Sequence, residues 1–191
     1  MRIVGIDYSL SSPCVCICDG SFELKNCKFN FLTHVKKCEI DIDNIQGDLH
    51  SLYKSEEERH YNLTKWVLQL LKEGDIIYVE GYSMGSVGMV FNLAENMGLL
   101  KHYLWKNHYT YNIVPPTVIK KFATGKGNAN KDLLQESFIK ETGYNVKDKL
   151  SLTEKQWNPS SDIIDSYFIC KYGSTKEYEN VEGNKRIFRF F

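Results

Sequence analysis

Four carboxylates in this chain have the residue types and spacing of a cation site. Asp7 ends the apolar run Arg2-Ile3-Val4-Gly5-Ile6-Asp7, and Glu80 ends the run Asp75-Ile76-Ile77-Tyr78-Val79-Glu80. Asp162 and Asp165 stand three apart in Ser161-Asp162-Ile163-Ile164-Asp165-Ser166-Tyr167, a spacing that puts both on one face of a helix. Taken singly, an acid after a strand is as readily a turn residue, and an Asp at a helix start a cap. Brought together, the four would repel one another unless cations neutralised them, so the set points to metal-assisted chemistry. A second group is basic: Lys120, Lys121, Lys126 and Lys131 fall within twelve residues, interleaved with Gly125 and Gly127. Lysines beside glycines that permit close backbone approach suit a phosphate backbone, whereas the same lysines alone would be an ordinary solvated loop.

These residues need a frame that brings them together. Three strands are expected over about 2–7, 13–19 and 22–32, separated by turn signals at Ser11-Ser12-Pro13 and Asp19-Gly20. Residues 33–54 are mixed and polar and read as loop. Ser55-Glu56-Glu57-Glu58 is a capping box opening a helix that stops near Gly74, and its acids complement the helix N-terminus without any further role. A strand over 75–80 leads into the glycine-rich stretch Gly81–Gly88, then an amphipathic helix over about 88–106 and a strand over 109–114. Pro116 can open the next short helix, which carries Lys120 and Lys121. A helix through Leu133, Leu134, Phe138 and Ile139 ends at Gly143, residues 144–160 read as loop, and a helix over 161–172 ends before Gly173. Three antiparallel strands followed by β-α-β units give an α/β fold: a mixed five-stranded sheet with helices on both faces. The first strand then lies beside the Glu80 strand, at the carboxyl edge where such sheets bind ligands.

Composition bounds the class. A chain of 191 residues with 42% hydrophobic and 25% charged residues suits one domain with a real core. The expected division is a domain over 1–172 and a basic, aromatic tail over 173–191, packed on or extending it. No apolar run approaches the ~20 residues that span a membrane, and the chain starts directly in a strand pattern, so the expected location is cytoplasmic, with no membrane partner. Lysine plus arginine balances aspartate plus glutamate at 24 each, which argues against a protein that coats nucleic acid by bulk charge. Cys14, Cys16 and Cys18 alternate along one strand face, and no Cys-x-x-Cys pair occurs among the six cysteines, so reduced packing thiols are expected rather than zinc ligands or disulfides.

Four stretches carry a resemblance to the ribonuclease H superfamily, and within it to RuvC-type Holliday junction resolvases. Gly5-Ile6-Asp7-Tyr8-Ser9 resembles the family's first-strand Gly-Ile-Asp motif, and Val79-Glu80 the acid ending its fourth strand. Val118 to Lys131 resembles its Val-Lys, Gly-x-Gly, Ala-x-Lys segment, and Asp162-Ile163-Ile164-Asp165-Ser166 its Asp-x-x-Asp-Ala helix. The likeness covers most of residues 1–172. Departures are Tyr8-Ser9 where the family has Pro-Gly, Ser83 where bacterial members have Phe, with Tyr82 one residue early, and the 33–54 insertion; they resemble a bacteriophage-type member more than a bacterial one.

The resemblance implies a ribonuclease H-like fold and an endonuclease that resolves four-way DNA junctions by paired symmetric nicks, leaving 5′-phosphate ends. It implies two Mg²⁺ per site, with Mn²⁺ a substitute, held by Asp7, Glu80, Asp162 and Asp165. It implies a catalytic role for Lys131 and phosphate contacts from Lys120, Lys121 and Lys126, with Tyr82 and Ser83 against DNA. It also implies a homodimer paired through the 88–106 helix. A flap nuclease or a ribonuclease H would use the same acids, and a non-catalytic branched-DNA-binding module is a further alternative. An actin-type ATPase shares the Gly-Ile-Asp start, but Tyr8-Ser9-Leu10 replaces its phosphate-binding glycines and the chain is too short for two such halves, so no nucleotide cofactor is expected.

Overall fold

The structure is a computed structural model that describes residues 1–81 and 90–187. Apolar runs without helix periodicity make the central strands: β1 (Arg2–Asp7), β2 (Cys14–Asp19) and β3 (Cys27–Thr33). The others are β4 (Ile40–Ile42), β5 (Ile45–Leu49), β6 (Ile76–Glu80) and β7 (Thr110–Val114). The helices are α1 (Glu56–Leu70), α2 (Val90–Lys106), α3 (Pro116–Thr124), α4 (Lys131–Thr142), α5 (Val146–Lys149) and α6 (Ser160–Ile187).

The sheet has seven strands in the order β4-β5-β3-β2-β1-β6-β7, so the expected five-stranded sheet is corrected to seven. The five expected strands form its central and β7 side, with β1, β2 and β3 antiparallel in turn and β1, β6 and β7 parallel. The two additional strands come from residues 33–54, read above as loop. β5 pairs parallel with β3, and β4 folds back on β5 through a turn at Asp43, whose φ is 54°. Both are short, and Gly47 lies so close to Phe31 and the Cys38 carbonyl that a side chain there would collide. Tertiary pairing rather than local propensity makes these strands.

Alternation along the strands divides the core in two. Val4, Ile6, Val15, Ile17, Leu32, Ile77 and Val79 face α1 and α2, against Leu63, Val67, Met97, Leu100 and Leu104. Ile3, Cys14, Cys16, Phe29, Phe31 and Tyr78 face the other way, against Phe138 of α4 and Ile163, Tyr167 and Cys170 of α6. All six cysteines are free thiols buried in this packing. Among the described residues, no helix is long and apolar enough to cross a membrane.

The helix ends follow local chemistry. Ser55 accepts from the Glu58 N–H at the start of α1, and Asn130 from the Leu133 N–H at the start of α4. Gly125 and Gly143 close α3 and α4 in the left-handed region, at φ 78° and 68°. Gly173 does not end α6, which continues to Ile187; the glycine instead lies against the Tyr78 ring, where a methyl group would clash. Lys185 and Arg186 therefore sit in the last turn of α6, and 188–191 lie outside the described residues.

Candidate active site

The sheet register brings the first two acids together. Ile6 pairs with Val79, so Asp7 and Glu80 follow as neighbours at the carboxyl ends of adjacent parallel strands. Strand alternation then points both toward the α6 face, the side of Ile3 and Tyr78. Gly5 sets how near the helix comes, because a methyl group there would strike the backbone of Ser166 and Cys170. This close approach lays the first turns of α6 over β1 and brings Asp162 and Asp165 to the same edge.

The electrostatics report the gathering. Burial pushes the Asp7 carboxyl well above the usual carboxylate range, and the charges of Asp162, Glu80 and Asp165 add to it, while Lys131 opposes. Glu80 is pushed up to about 8 by burial and then by Asp165, with Lys120 opposing. Asp162 rises to about 7 through burial, offset by a hydrogen bond from Ser12. Asp165 rises to about 6 through burial, offset by Lys131 and Lys120. Without added positive charge all four groups are held above the ordinary carboxylate range, Glu80, Asp162 and Asp165 at about 8, 7 and 6, which is the signature of a cluster awaiting a counter-charge.

Of the four basic candidates, Lys120 and Lys131 are felt at the carboxylates. Lys131 also donates to Ser161 Oγ at 3.3 Å. Lys121 and Lys126 are exposed at the end of α3 and on the loop beyond. Tyr82 and Ser83 lie outside the described residues. A cleft of about 250 Å³ opens beside the acids, lined by Asp7, Tyr8, Glu80, Met97, Lys120 and Asp165.

Three residues that no local pattern marked support the acids. Ser12, in the loop after β1, receives a hydrogen bond from Asn158 Nδ2 and donates to Asp162. Ser161 Oγ donates to Asn158 Oδ1 at 3.4 Å. These contacts tie the loop following Asp7 to the start of α6 across 146 residues of sequence, a separation at which no spacing signal exists.

The donor set fits a hard divalent cation. It offers only carboxylate oxygens, and Asp162 Oδ2 is buried without a hydrogen-bond partner. Among the described residues, no group of three or more His, Cys, Asp or Glu side chains is placed to hold a metal ion by itself. Mg²⁺ does not require one, since it keeps several waters and is held by one or two carboxylates together with substrate oxygens.

No family model matches this sequence, and no curated protein sequence matches it. Solved structures do. Thermus thermophilus RuvC matches with a TM-score of 0.55 over 95% of this chain and 97% of that chain, at 16% identity. The chain has a RuvC-type fold. A complex of T. thermophilus RuvC with a Holliday junction substrate matches with the same TM-score of 0.55 at 13% identity, covering 95% of this chain and 96% of that one. The yeast mitochondrial Holliday junction resolvase matches with a TM-score of 0.54 at 14% identity, over 99% of this chain and 84% of its own.

Proposed function

We propose that this chain is a metal-dependent endonuclease that resolves four-way DNA junctions. The observation that carries the reading is the convergence of Asp7, Glu80, Asp162 and Asp165, mutually destabilised, at the carboxyl edge of a RuvC-type sheet. The proteins sharing this fold include one captured on a Holliday junction and one described as a Holliday junction resolvase. Asp7, Glu80, Asp162 and Asp165 would hold divalent cations, two Mg²⁺ with Mn²⁺ as a substitute. When bound, such ions activate a water and stabilise charge on the leaving oxygen of a phosphodiester. The chain's own part is positional. Asp7 feels the charge of all three other acids, Lys120 and Lys131 would offer positive charge to the scissile phosphate, and Lys121 and Lys126 would reach the flanking backbone. Ser12 and Asn158 hold Asp162 in place. Tyr82 and Ser83, immediately after Gly81, belong to the DNA-facing stretch in this reading. The test is the chemistry of the ends: strands nicked in Mg²⁺ should carry 5′-phosphate and 3′-hydroxyl, and EDTA should abolish nicking. Nicking that survives EDTA would refute the metal role.

A homodimer belongs to the same reading, because a two-fold junction is cut symmetrically by a two-fold protein. Support comes from the outer face of α2. Phe91 and Trp105 are 82% and 69% exposed there. With Glu95, Gly98 and His102, also exposed, they follow a 4-3-4-3 spacing, the seam along which two helices pack. The seam is self-complementary when antiparallel about Gly98, whose missing side chain leaves open space. Phe91 of one copy then meets Trp105 of the other, and Glu95 lies opposite the basic Lys101 and His102.

A further inference from the structure

The two strands added at the sheet edge create a second feature that the nuclease chemistry does not use. On the α6 side they complete the core, where Ile45 and Cys38 pack with Phe31. The α1 side is different. Where a helix packs on a sheet, inward residues are ordinarily apolar, and Leu32 against Leu63 and Val67 obeys this. Beyond Leu32 the inward alternation turns polar: Asn30 and His34 on β3 and its extension, Gln46, Asp48 and His50 on β5 and its extension. Asn30 is only 2% exposed, and its Nδ2 has no hydrogen-bond partner. Between this face and α1 lies a groove of about 310 Å³, lined among others by Asp48, His50, Tyr53, Arg59, Asn62 and Trp66. That volume is at the small end of ligand sites.

The chemistry of the walls selects the ligand. Arg59 donates to the Leu10 carbonyl at 3.0 Å and to Glu56 at 3.3 Å, and its guanidinium stands 5.3 Å from the centre of the Tyr53 ring. Its charge is therefore already matched, and the other charged side chains on the walls, Asp48 and Lys65, are opposite in sign, so no excess of positive charge selects a phosphate. What the groove offers is aromatic surface, from Tyr53 and Trp66, and a mixed donor and acceptor set, from Asp48, Asn62 and Gln69. Aromatic stacking plus hydrogen bonds to a planar polar edge is how an unstacked nucleobase is held. The groove also touches the catalytic loop. His50 Nε2 donates to the Ser11 carbonyl at 2.9 Å, Arg59 holds Leu10, and Tyr8 and Thr64 hydroxyls meet at 2.9 Å, so the loop leaving Asp7 is anchored on the groove's walls.

We infer that the groove between β5 and α1 receives one unstacked nucleobase of the branched DNA, displaced from its strand near the crossover. The inference rests on the junction-nuclease reading and adds to it a source of sequence preference. It also assigns a role to the 33–54 insertion, whose strands build one wall.

The test uses the full chain and a set of four-way junctions, each with one abasic site at a different position near the crossover, read by binding affinity. At one position, loss of the base should weaken wild-type binding by roughly tenfold, and the same lesion should cost Tyr53→Ala and Asn62→Ala nothing further. A 2-aminopurine at that position should change fluorescence when wild type binds and not when Tyr53→Ala binds. Tyr53 is partly exposed on a loop, and an unchanged melting temperature verifies that the variants fold. Wild type that binds every abasic junction within twofold of the intact one would overturn the inference and leave the nuclease reading standing. So would variants weakened equally at every position. Wild type that prefers no four-way junction over duplex would remove the nuclease reading, and this inference with it.

Discussion

At the scale of single residues, the carboxylate cluster is a conflict between stability and use. The acids are held above their ordinary range by burial and by one another, with Glu80 at about 8, Asp162 at about 7 and Asp165 at about 6. The metal-free native state then binds more protons than the unfolded chain between the ordinary carboxylate range and these values. Its stability is greatest below that range and falls as pH rises through about 6 to 8. Melting curves of chelated protein should therefore show a falling melting temperature over that interval, and Mg²⁺ should restore more at high pH than at low. Asp7→Asn removes one repelling charge, so at pH about 8 without metal the variant should melt higher than wild type while its cleavage rate falls at least about a hundredfold. Lys131→Ala should also slow cleavage by about a hundredfold or more, and without metal at pH about 8 it should melt lower than wild type, because the charge that opposes the repulsion at Asp7 and Asp165 is gone. The four acids were legible because each carries a local mark, a strand end or an i, i+3 pair. Ser12, Asn158 and Ser161 carry none, since their contacts join distant segments.

At the scale of elements, the site depends on how closely α6 lies on β1. Gly5→Ala would wedge a methyl group into the backbone of Ser166 and Cys170. We expect it to destabilise the fold by about 2 kcal/mol, as overpacking does, and to cut cleavage further than that loss explains, because Asp162 and Asp165 move with the helix. Denaturant titration beside a cleavage assay separates the two effects. Ser55→Ala is the contrasting case: loss of the α1 cap should cost about 1 kcal/mol and leave cleavage unchanged. The central strands and most helix boundaries were legible from hydrophobic runs, capping residues and glycine stops. The failures have physical causes. β4 and β5 are three and five residues long, and they exist only through pairing with β3. Gly173 reads as a helix stop, yet it serves close packing on Tyr78.

At the scale of the whole molecule, the proposed junction resolution would require two sites held at a fixed spacing on one junction. The α2 seam predicts that Gly98→Glu, or Phe91 and Trp105 replaced together by Asp, gives a monomer by sedimentation, with the fold intact and paired nicking lost. A stable dimer in both variants would place the partner surface elsewhere. The RuvC-type architecture was legible in outline because four short motifs occur in order along the chain, whereas the edge extension and its polar groove appear only after folding. The most direct test of the central claim is cleavage of a synthetic four-way DNA junction in Mg²⁺, beside linear duplex, flap and RNA–DNA hybrid, with wild type and Asp7→Asn. The account predicts paired, symmetric nicks in the junction that vanish in Asp7→Asn. Tight junction binding without nicks in either Mg²⁺ or Mn²⁺, or cutting confined to the hybrid, would contradict it.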